Sequence, residues 1–197
     1  MKKNFRSLAI VAISLLLASC GTQPATEYGT WADALDASAW ESSQWISAVD
    51  APVITGKTGD MQNNRAADGS SWFVSTIKNE QKVASAKWMT TGLGVYEIYV
   101  NGKAIGQEFM KPGFTHYAKT RRSFTYDITD AFQTGAGAEN QLSAQVTPGW
   151  WADKIITPHG HEGFYGKKPA FRGVLELTYA DGTKKLYGTD LDNWKAG

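Results

Sequence analysis

The sequence predicts an all-β protein, an antiparallel β-sandwich of the jelly-roll type with a few short helices. Short segments of alternating apolar and polar residues recur along the chain, and this is the period of a half-buried strand. Asn-Gly at 101–102 and Asp-Gly at 181–182 separate such segments and are typical of β-hairpin turns. The 197 residues include 20 glycines and eight each of Trp, Tyr and Phe, a composition that suits short strands joined by tight turns.

Residues 1–19 have the features of a secretory signal peptide. A positive start precedes an apolar segment, 8–18, that is too short to cross a bilayer as a helix. Residues 17–20 read Leu-Ala-Ser-Cys, which resembles the lipobox of bacterial lipoproteins, so we expect Cys20 to carry lipid and to anchor the protein in the bacterial cell envelope. An ordinary signal followed by a chance cysteine is the alternative. Cys20 is the only cysteine, so no disulfide framework is expected.

Charge excludes one class of partner. Loss of residues 1–19 removes Lys2, Lys3 and Arg6, which reduces the 20 Lys and Arg to 17 against 19 Asp and Glu. A near-neutral mature chain lacks the basic footprint of a nucleic-acid-binding protein.

We divide the rest into three parts: a tether at 20–30, a lead-in at 31–70 that packs on the sandwich, and the sandwich itself at 71–197. Within the lead-in, Trp31, Leu35 and Ala39 share one potential helical face, and residues 31–45 form either a short helix or an irregular wrap. Trp45-Ile46 is expected to pack on the sandwich. The Gly- and Asn-rich residues 52–69 are expected to form a loop.

Strands are predicted over 72–77, 83–90 and 95–100. In the last of these, Tyr96, Ile98 and Val100 share one face. Asn101-Gly102 then favours a type I′ turn into a return strand over 103–109.

Further strands are predicted at 123–128, 142–146, 171–179 and 184–188. Thr129 or Asp130 is expected to cap a brief helical turn that runs to residue 132. Asp127 is best interpreted as a turn carboxylate.

Four motifs occur in a fixed order: Asn-Gly at 101–102, Pro-Gly-Phe-Thr-His-Tyr at 112–117, Phe-Thr-Tyr-Asp-Ile-Thr at 124–129, and Asn-Gln-Leu at 140–142 leading to Gly-Trp at 149–150. In this order they resemble the N-terminal sandwich of bacterial α-L-rhamnosidases, glycoside hydrolase family 78. The resemblance implies a galactose-binding-like sandwich. It also implies a downstream catalytic barrel in the same polypeptide that carries the catalytic carboxylates. We therefore expect a truncated chain that is inactive alone, with no catalytic residue of its own.

Aromatic residues at turns are the candidate carbohydrate contacts. Trp150 and Trp151 follow Pro-Gly at a strand end, and in an extended segment one ring would point inward and the other outward. Phe114 and Tyr117 lie on another turn and could join the same surface, because a ring packs on the C–H face of a sugar and a tyrosine adds a polar handle. Arg121 and Arg122 precede a strand, and one of them, with Arg121 as the chosen candidate, could donate to sugar hydroxyls. The alternatives are that both tryptophans cover the sandwich edge and that the arginine is a solvated rim charge.

Metal candidates are weaker. Some rhamnose-binding relatives use calcium to bridge protein and sugar, and Asp190, Asp192 and Asn193 could supply the oxygen ligands that calcium prefers. His-Gly-His-Glu at 159–162 is the most metal-like stretch, and a polar glycine-rich loop is its alternative.

Three functions remain open from the sequence. The first is a non-catalytic module of an exported α-L-rhamnosidase-like hydrolase that acts on rhamnose-containing glycans. The second is a stand-alone carbohydrate-binding lipoprotein. The third is a structural or protein-docking lipoprotein of the envelope.

Overall fold

The computed structural model describes residues 28–48, 69–155, 161–162 and 164–197. The predicted signal peptide, Cys20, most of the predicted tether and nearly all of the loop expected at 52–69 lie outside these residues. In the described part, no helix is both long enough and apolar enough to cross a membrane.

Two five-stranded antiparallel sheets form the molecule, which confirms the predicted fold class. The first sheet contains β1 (Thr30–Trp31), β3 (Val83–Leu93), β6 (Phe124–Asp127), β10 (Ala170–Tyr179) and β11 (Lys184–Gly188), in the order β1-β6-β3-β10-β11. The second contains β2 (Ser71–Lys78), β4 (Val95–Val100), β5 (Lys103–Ala104), β7 (Glu139–Thr147) and β12 (Lys195–Ala196), in the order β12-β2-β7-β4-β5. A small ribbon pairs β8 (Lys154–Ile155) with β9 (His161–Glu162). Within the described residues, the helical elements are a 3-10 helix, Ala37–Ser42, and the four-residue α1, Gly149–Ala152.

The core lies between the two sheets and centres on Phe171. Its ring meets Trp88 of its own sheet at 6.2 Å between centroids, and Phe73 and Tyr96 of the opposite sheet at 6.4 and 5.7 Å. All four side chains are buried. Burial of this much aromatic surface is the main stabilising contribution that holds the sheets together.

The lead-in covers the outer face of the first sheet. Val174 of β10 packs there with Ala39 and Met89, whereas Leu175 belongs to the core between the sheets. Arg172 ties the lead-in down, because its guanidinium donates to backbone oxygens of Trp40 and Ser43. Of the two conformations left open for this segment, the structure has a 3-10 helix within an otherwise irregular wrap. β10 is therefore buried on both faces and lacks a clean alternation.

The Asn101-Gly102 turn is confirmed, since both residues have positive φ, 51° and 78°. The return strand predicted over 103–109 is wrong beyond Ala104. Gly106 has φ 75°, which directs the chain away from β4. Lys111 then rejoins the β4 edge, where its carbonyl accepts from the Tyr96 amide at 2.7 Å.

The helical turn predicted up to residue 132 takes the form of two successive turns, in which the amides of Ala131 and Phe132 donate to the carbonyls of Ile128 and Thr129 at 3.0 and 3.4 Å. The carboxylate of Asp127 accepts from the amide and hydroxyl of Thr129 at 3.0 and 2.6 Å. Asp127 therefore closes this turn, which confirms its interpretation as a turn carboxylate.

Candidate functional site

Six aromatic side chains meet at the end of the sandwich where α1 lies. We call them the aromatic cluster: Phe114, Tyr117, Trp150, Trp151, Phe164 and Tyr165. Tyr165 lies near the middle, with its ring centroid 5.1 Å from Tyr117, 6.2 Å from Phe114 and 4.8 Å from Phe164. The four aromatic residues predicted as sugar contacts from two separate turns are thus brought together.

The two tryptophans do not lie on an extended segment, so the expectation of one inward and one outward ring is wrong in its premise. Gly149 has φ 47° and starts α1, which places both tryptophans on one short helical turn. Trp150 meets Phe114 at 6.3 Å and Trp151 meets Tyr117 at 5.5 Å. Both rings therefore belong to the cluster.

The members of the cluster differ in accessibility. Tyr117 is buried, and its hydroxyl donates to the Gly113 carbonyl at 3.3 Å. Burial raises the pKa of that hydroxyl, with a further contribution from Tyr165. Trp151 donates from its indole nitrogen to the Lys168 carbonyl at 2.9 Å. Phe114 and Phe164 are 52% and 60% exposed and are the most accessible rings of the cluster, whereas Trp150, Trp151 and Tyr165 are partly exposed.

A cleft of about 250 Å³ adjoins the cluster at Gly113. It is lined by residues 108–113 together with Trp31, Arg122 and Phe124. The Trp31 ring is 63% exposed and stands edge-on to Phe124, 5.2 Å between centroids. Pairing of β1 with β6, which sets Trp31 opposite Tyr126, holds it there.

The 106–113 loop, which forms one side of the cleft, is fixed by a buried lysine. The Lys111 side chain is fully buried, and its ammonium donates to Glu97 at 2.6 Å and to the carbonyl of Glu108 at 3.0 Å. A buried ammonium is tolerated only when it is paired in this way. The loop consequently presents Phe109, 92% exposed, and Met110, 52% exposed, in a defined position.

Glu108 supplies a carboxylate to the cleft. It accepts from the hydroxyl of Tyr126 at 2.5 Å. Partial burial of Glu108 acts to raise its pKa, but the hydrogen bond from Tyr126, with smaller contributions from Trp31 and Lys111, leaves the pKa below the ordinary value. The side chain is therefore ionised at neutral pH.

The two arginines before β6 have different environments. Arg121 is exposed, whereas the guanidinium of Arg122 lies 5.4 Å from the centroid of Phe124 and lines the cleft. Neither forms an ion pair with another residue that the structure describes.

The calcium candidates form a self-contained turn. The Asp190 carboxylate accepts from the amides of Asp192 and Asn193 at 2.9 and 2.6 Å, and from the Asn193 side chain at 2.9 Å. These bonds account for the geometry of Asp190 without a metal ion. Among the described residues, no three His, Cys, Asp or Glu side chains are grouped to hold a metal. His159 and the side chains of His161 and Glu162 lie outside the described part.

Sequence reasoning missed Trp31 and Glu108 as site residues. Trp31 was expected on a helix or wrap, and its place beside Phe124 depends on pairing between distant segments. No local pattern in the sequence marks either residue as part of a site.

The fold and this aromatic end define an antiparallel β-sandwich with an exposed, ring-lined surface. Residues 81–197 match the profile of the α-L-rhamnosidase N-terminal domain, and the chain belongs to that family.

Similar proteins agree with this assignment. The chain is 39% identical over 116 residues to an α-L-rhamnosidase of Streptomyces avermitilis. The aligned part makes up 59% of this chain and 11% of that protein. It is 30% identical over 173 residues to one of Formosa agariphila, covering 82% and 18% respectively. The chain thus spans less than a fifth of these curated relatives.

Two solved structures extend the comparison to three dimensions. The native α-L-rhamnosidase of Aspergillus terreus superposes with a TM-score of 0.69 at 25% identity, over 83% of this chain and 17% of that one. The Streptomyces avermitilis α-L-rhamnosidase complexed with L-rhamnose gives a TM-score of 0.59 at 32% identity, over 71% of this chain and 13% of that one.

Proposed function

We propose that this chain is the non-catalytic N-terminal module of an exported α-L-rhamnosidase that acts on rhamnose-containing glycans. Membership of the rhamnosidase N-terminal family supports the parent activity. The length of the relatives supports a catalytic domain elsewhere in the same polypeptide, since this chain spans 11% to 18% of them. Supporting that catalytic domain is the first role of the module.

Contact with the glycan is the second role, and the exposed part of the aromatic cluster carries it. Of the eight large hydrophobic side chains exposed in the described part of the chain, five line the cleft or belong to the cluster: Trp31, Phe109, Met110, Phe114 and Phe164. A concentration of this kind marks an interaction surface. Flat rings beside tyrosine and arginine suit the alternating C–H and hydroxyl faces of a sugar.

Calorimetric titration of the purified mature chain with a rhamnose-containing oligosaccharide tests this role. Phe114→Ala is expected to weaken binding about tenfold, in line with the loss of one ring contact of 1–2 kcal/mol. Trp72→Ala is the matched control, because Trp72 is also partly exposed (39%) but packs with Tyr99 on the second sheet, away from the cluster. Equal affinities of the wild type and Phe114→Ala for the oligosaccharide would show that the cluster is not part of the binding site.

A protein-docking role is favoured by one observation. Phe109 is 92% exposed at the tip of a loop whose position Lys111 fixes, a geometry that suits insertion into a neighbouring protein surface. In the full-length enzyme, Phe109→Ser should then lower the unfolding temperature of the catalytic domain without changing that of the isolated module. An unchanged unfolding temperature of the catalytic domain would contradict the docking role, and glycan contact would then be the one binding role that remains proposed.

The lipid anchor at Cys20 completes the proposal. Its support is the signal-like residues 1–19 and the Leu-Ala-Ser-Cys sequence. Labelled palmitate should enter the wild-type protein and not Cys20→Ser, and the wild type should fractionate with the cell envelope. Release of both forms in soluble state would indicate an ordinary secretory signal instead.

A further inference from the structure

The cleft carries a cation, Arg122, and an anion, Glu108, which contact different neighbours. The guanidinium of Arg122 lies beside Gly113 and the ring of Phe124. The carboxylate of Glu108 lies over Gly106 and accepts from the hydroxyl of Tyr126. No ion pair joins the two charges, although both side chains are in the described part of the chain.

Aromatic rings lie beside both charges. The rings of Phe124 and Tyr126 are stacked with 6.3 Å between centroids, and Trp31 stands over both, 5.2 and 6.1 Å away. A volume of about 250 Å³ is slightly below the range of drug-sized sites and suits a single sugar ring. Trp31 can cover the C–H face of such a sugar ring while the polar substituents of the sugar point to Arg122 and Glu108.

The charged side chains in the segment that contains Arg122 are positive, and most of them have no ion-pair partner among the described residues. Residues 109–126 contain Lys111, Lys119, Arg121 and Arg122 and no Asp or Glu. Lys111 is neutralised by Glu97, but Lys119, Arg121 and Arg122 are exposed and have no ion pair within the described residues. Such a segment attracts an anion and binds it most strongly where a guanidinium can donate two parallel hydrogen bonds.

We propose that the cleft binds an anionic sugar residue, a uronate or a sulfated pyranose, with its anionic group on Arg122 and a hydroxyl donating to Glu108. This inference rests on the proposed glycan contact and narrows it to acidic glycans. Because Glu108 is itself anionic, the sugar has one orientation in the cleft, with its charge directed away from Glu108. Neutral rhamnosyl residues of the same glycan would extend over Phe114.

Three probes test the inference by calorimetry on the mature chain at low salt. They are a disaccharide of L-rhamnose and galacturonic acid, the methyl ester of that uronate, and a methyl L-rhamnoside monosulfate. The uronate should bind about tenfold more tightly than its ester, as expected when a charged hydrogen-bonded pair is lost, and the preference should shrink as salt is added. The sulfate distinguishes the two kinds of anion. Tighter binding of the uronate or of the sulfate than of the ester supports an anionic site, and the probe that binds more tightly identifies the natural group.

Arg122→Gln should abolish the preference for the acid, because a neutral side chain no longer favours a carboxylate over its ester. Arg121→Gln is the matched control, since it removes a neighbouring exposed charge that does not line the cleft. Its preference for the acid should persist. An unchanged unfolding midpoint for each variant shows that the fold is intact.

The possible failures are distinguishable. Equal binding of acid and ester, or a preference that survives Arg122→Gln, overturns the anionic cleft while the glycan contact stands. Absence of binding by all three probes overturns the glycan contact as well.

Discussion

The aromatic side chains around Phe171 and those around Tyr165 differ in what covers them. The first group comes from both sheets and is buried on all sides. The second comes from loops and α1, and its outer members Phe114 and Phe164 remain exposed by more than half. Edge-on ring contacts at similar distances occur in both. Burial, and not ring geometry, therefore separates a group that stabilises the fold from one that is open to a ligand.

Truncation of one ring in each group should separate the two roles most clearly. Phe171→Ala is expected to lower the free energy of unfolding by about 3–5 kcal/mol, since it leaves a cavity between the sheets. Phe114→Ala should cost less than about 1 kcal/mol, because its ring is half exposed. Urea denaturation followed by tryptophan fluorescence measures both. Similar costs for the two variants would contradict the distinction.

The lysine beneath the exposed surface allows a finer test. Lys111→Met is expected to cost about 1–3 kcal/mol, because it leaves the carbonyl of Glu108 without its donor and Glu97 without its partner. Faster hydrogen exchange should be confined to the 106–113 loop. The control is Lys184→Met: Lys184 pairs with Glu176 at 3.0 Å but is 60% exposed, so its loss should change stability by less than about 1 kcal/mol. Faster exchange throughout the core in Lys111→Met would show that the lysine supports the whole sandwich instead.

The smallest effect is expected from pH. Because the folded-state pKa of Glu108 lies below its ordinary value, its ionised form stabilises the folded protein above the ordinary glutamate range. That contribution is lost as the pH falls through the folded-state pKa. The neighbouring side chains that lower the pKa of this carboxylate are Tyr126, Trp31 and Lys111. Urea midpoints for the wild type and Glu108→Gln should therefore differ at pH 7 and converge as the pH falls through the folded-state pKa of Glu108. A constant difference would assign the effect to another group.

The strands and the first hairpin could be predicted because their determinants are local. Alternation over 95–100 and the paired Asn101-Gly102 specify both the strand and its turn, and the structure has them as expected. The turn at Asp181-Gly182 also forms, with Gly182 alone at positive φ. A three-residue hairpin loop needs one such residue, whereas a type I′ turn needs two.

The errors share a different cause, since each depends on contacts between distant segments or on one backbone angle. Gly106 ends the return strand that continuous alternation suggested, and Gly149 converts an expected extended segment into α1. Grouping of Phe114 with Trp150 could be anticipated from their shared position at turns. The cleft could not, because no local pattern sets Trp31 beside Phe124.

The origin of Trp31 has a practical consequence for how this protein is cut. One wall of the cleft comes from residue 31, its floor and opposite side come from residues 108–124, and the family profile starts only at residue 81. A shortened version that begins at residue 71 or 81 would therefore lack the tryptophan, and the version from 81 would also lose β2. Such trimmed domains would lack part of the proposed binding surface, so any survey of ligands should begin from a form that retains Tyr28 onward.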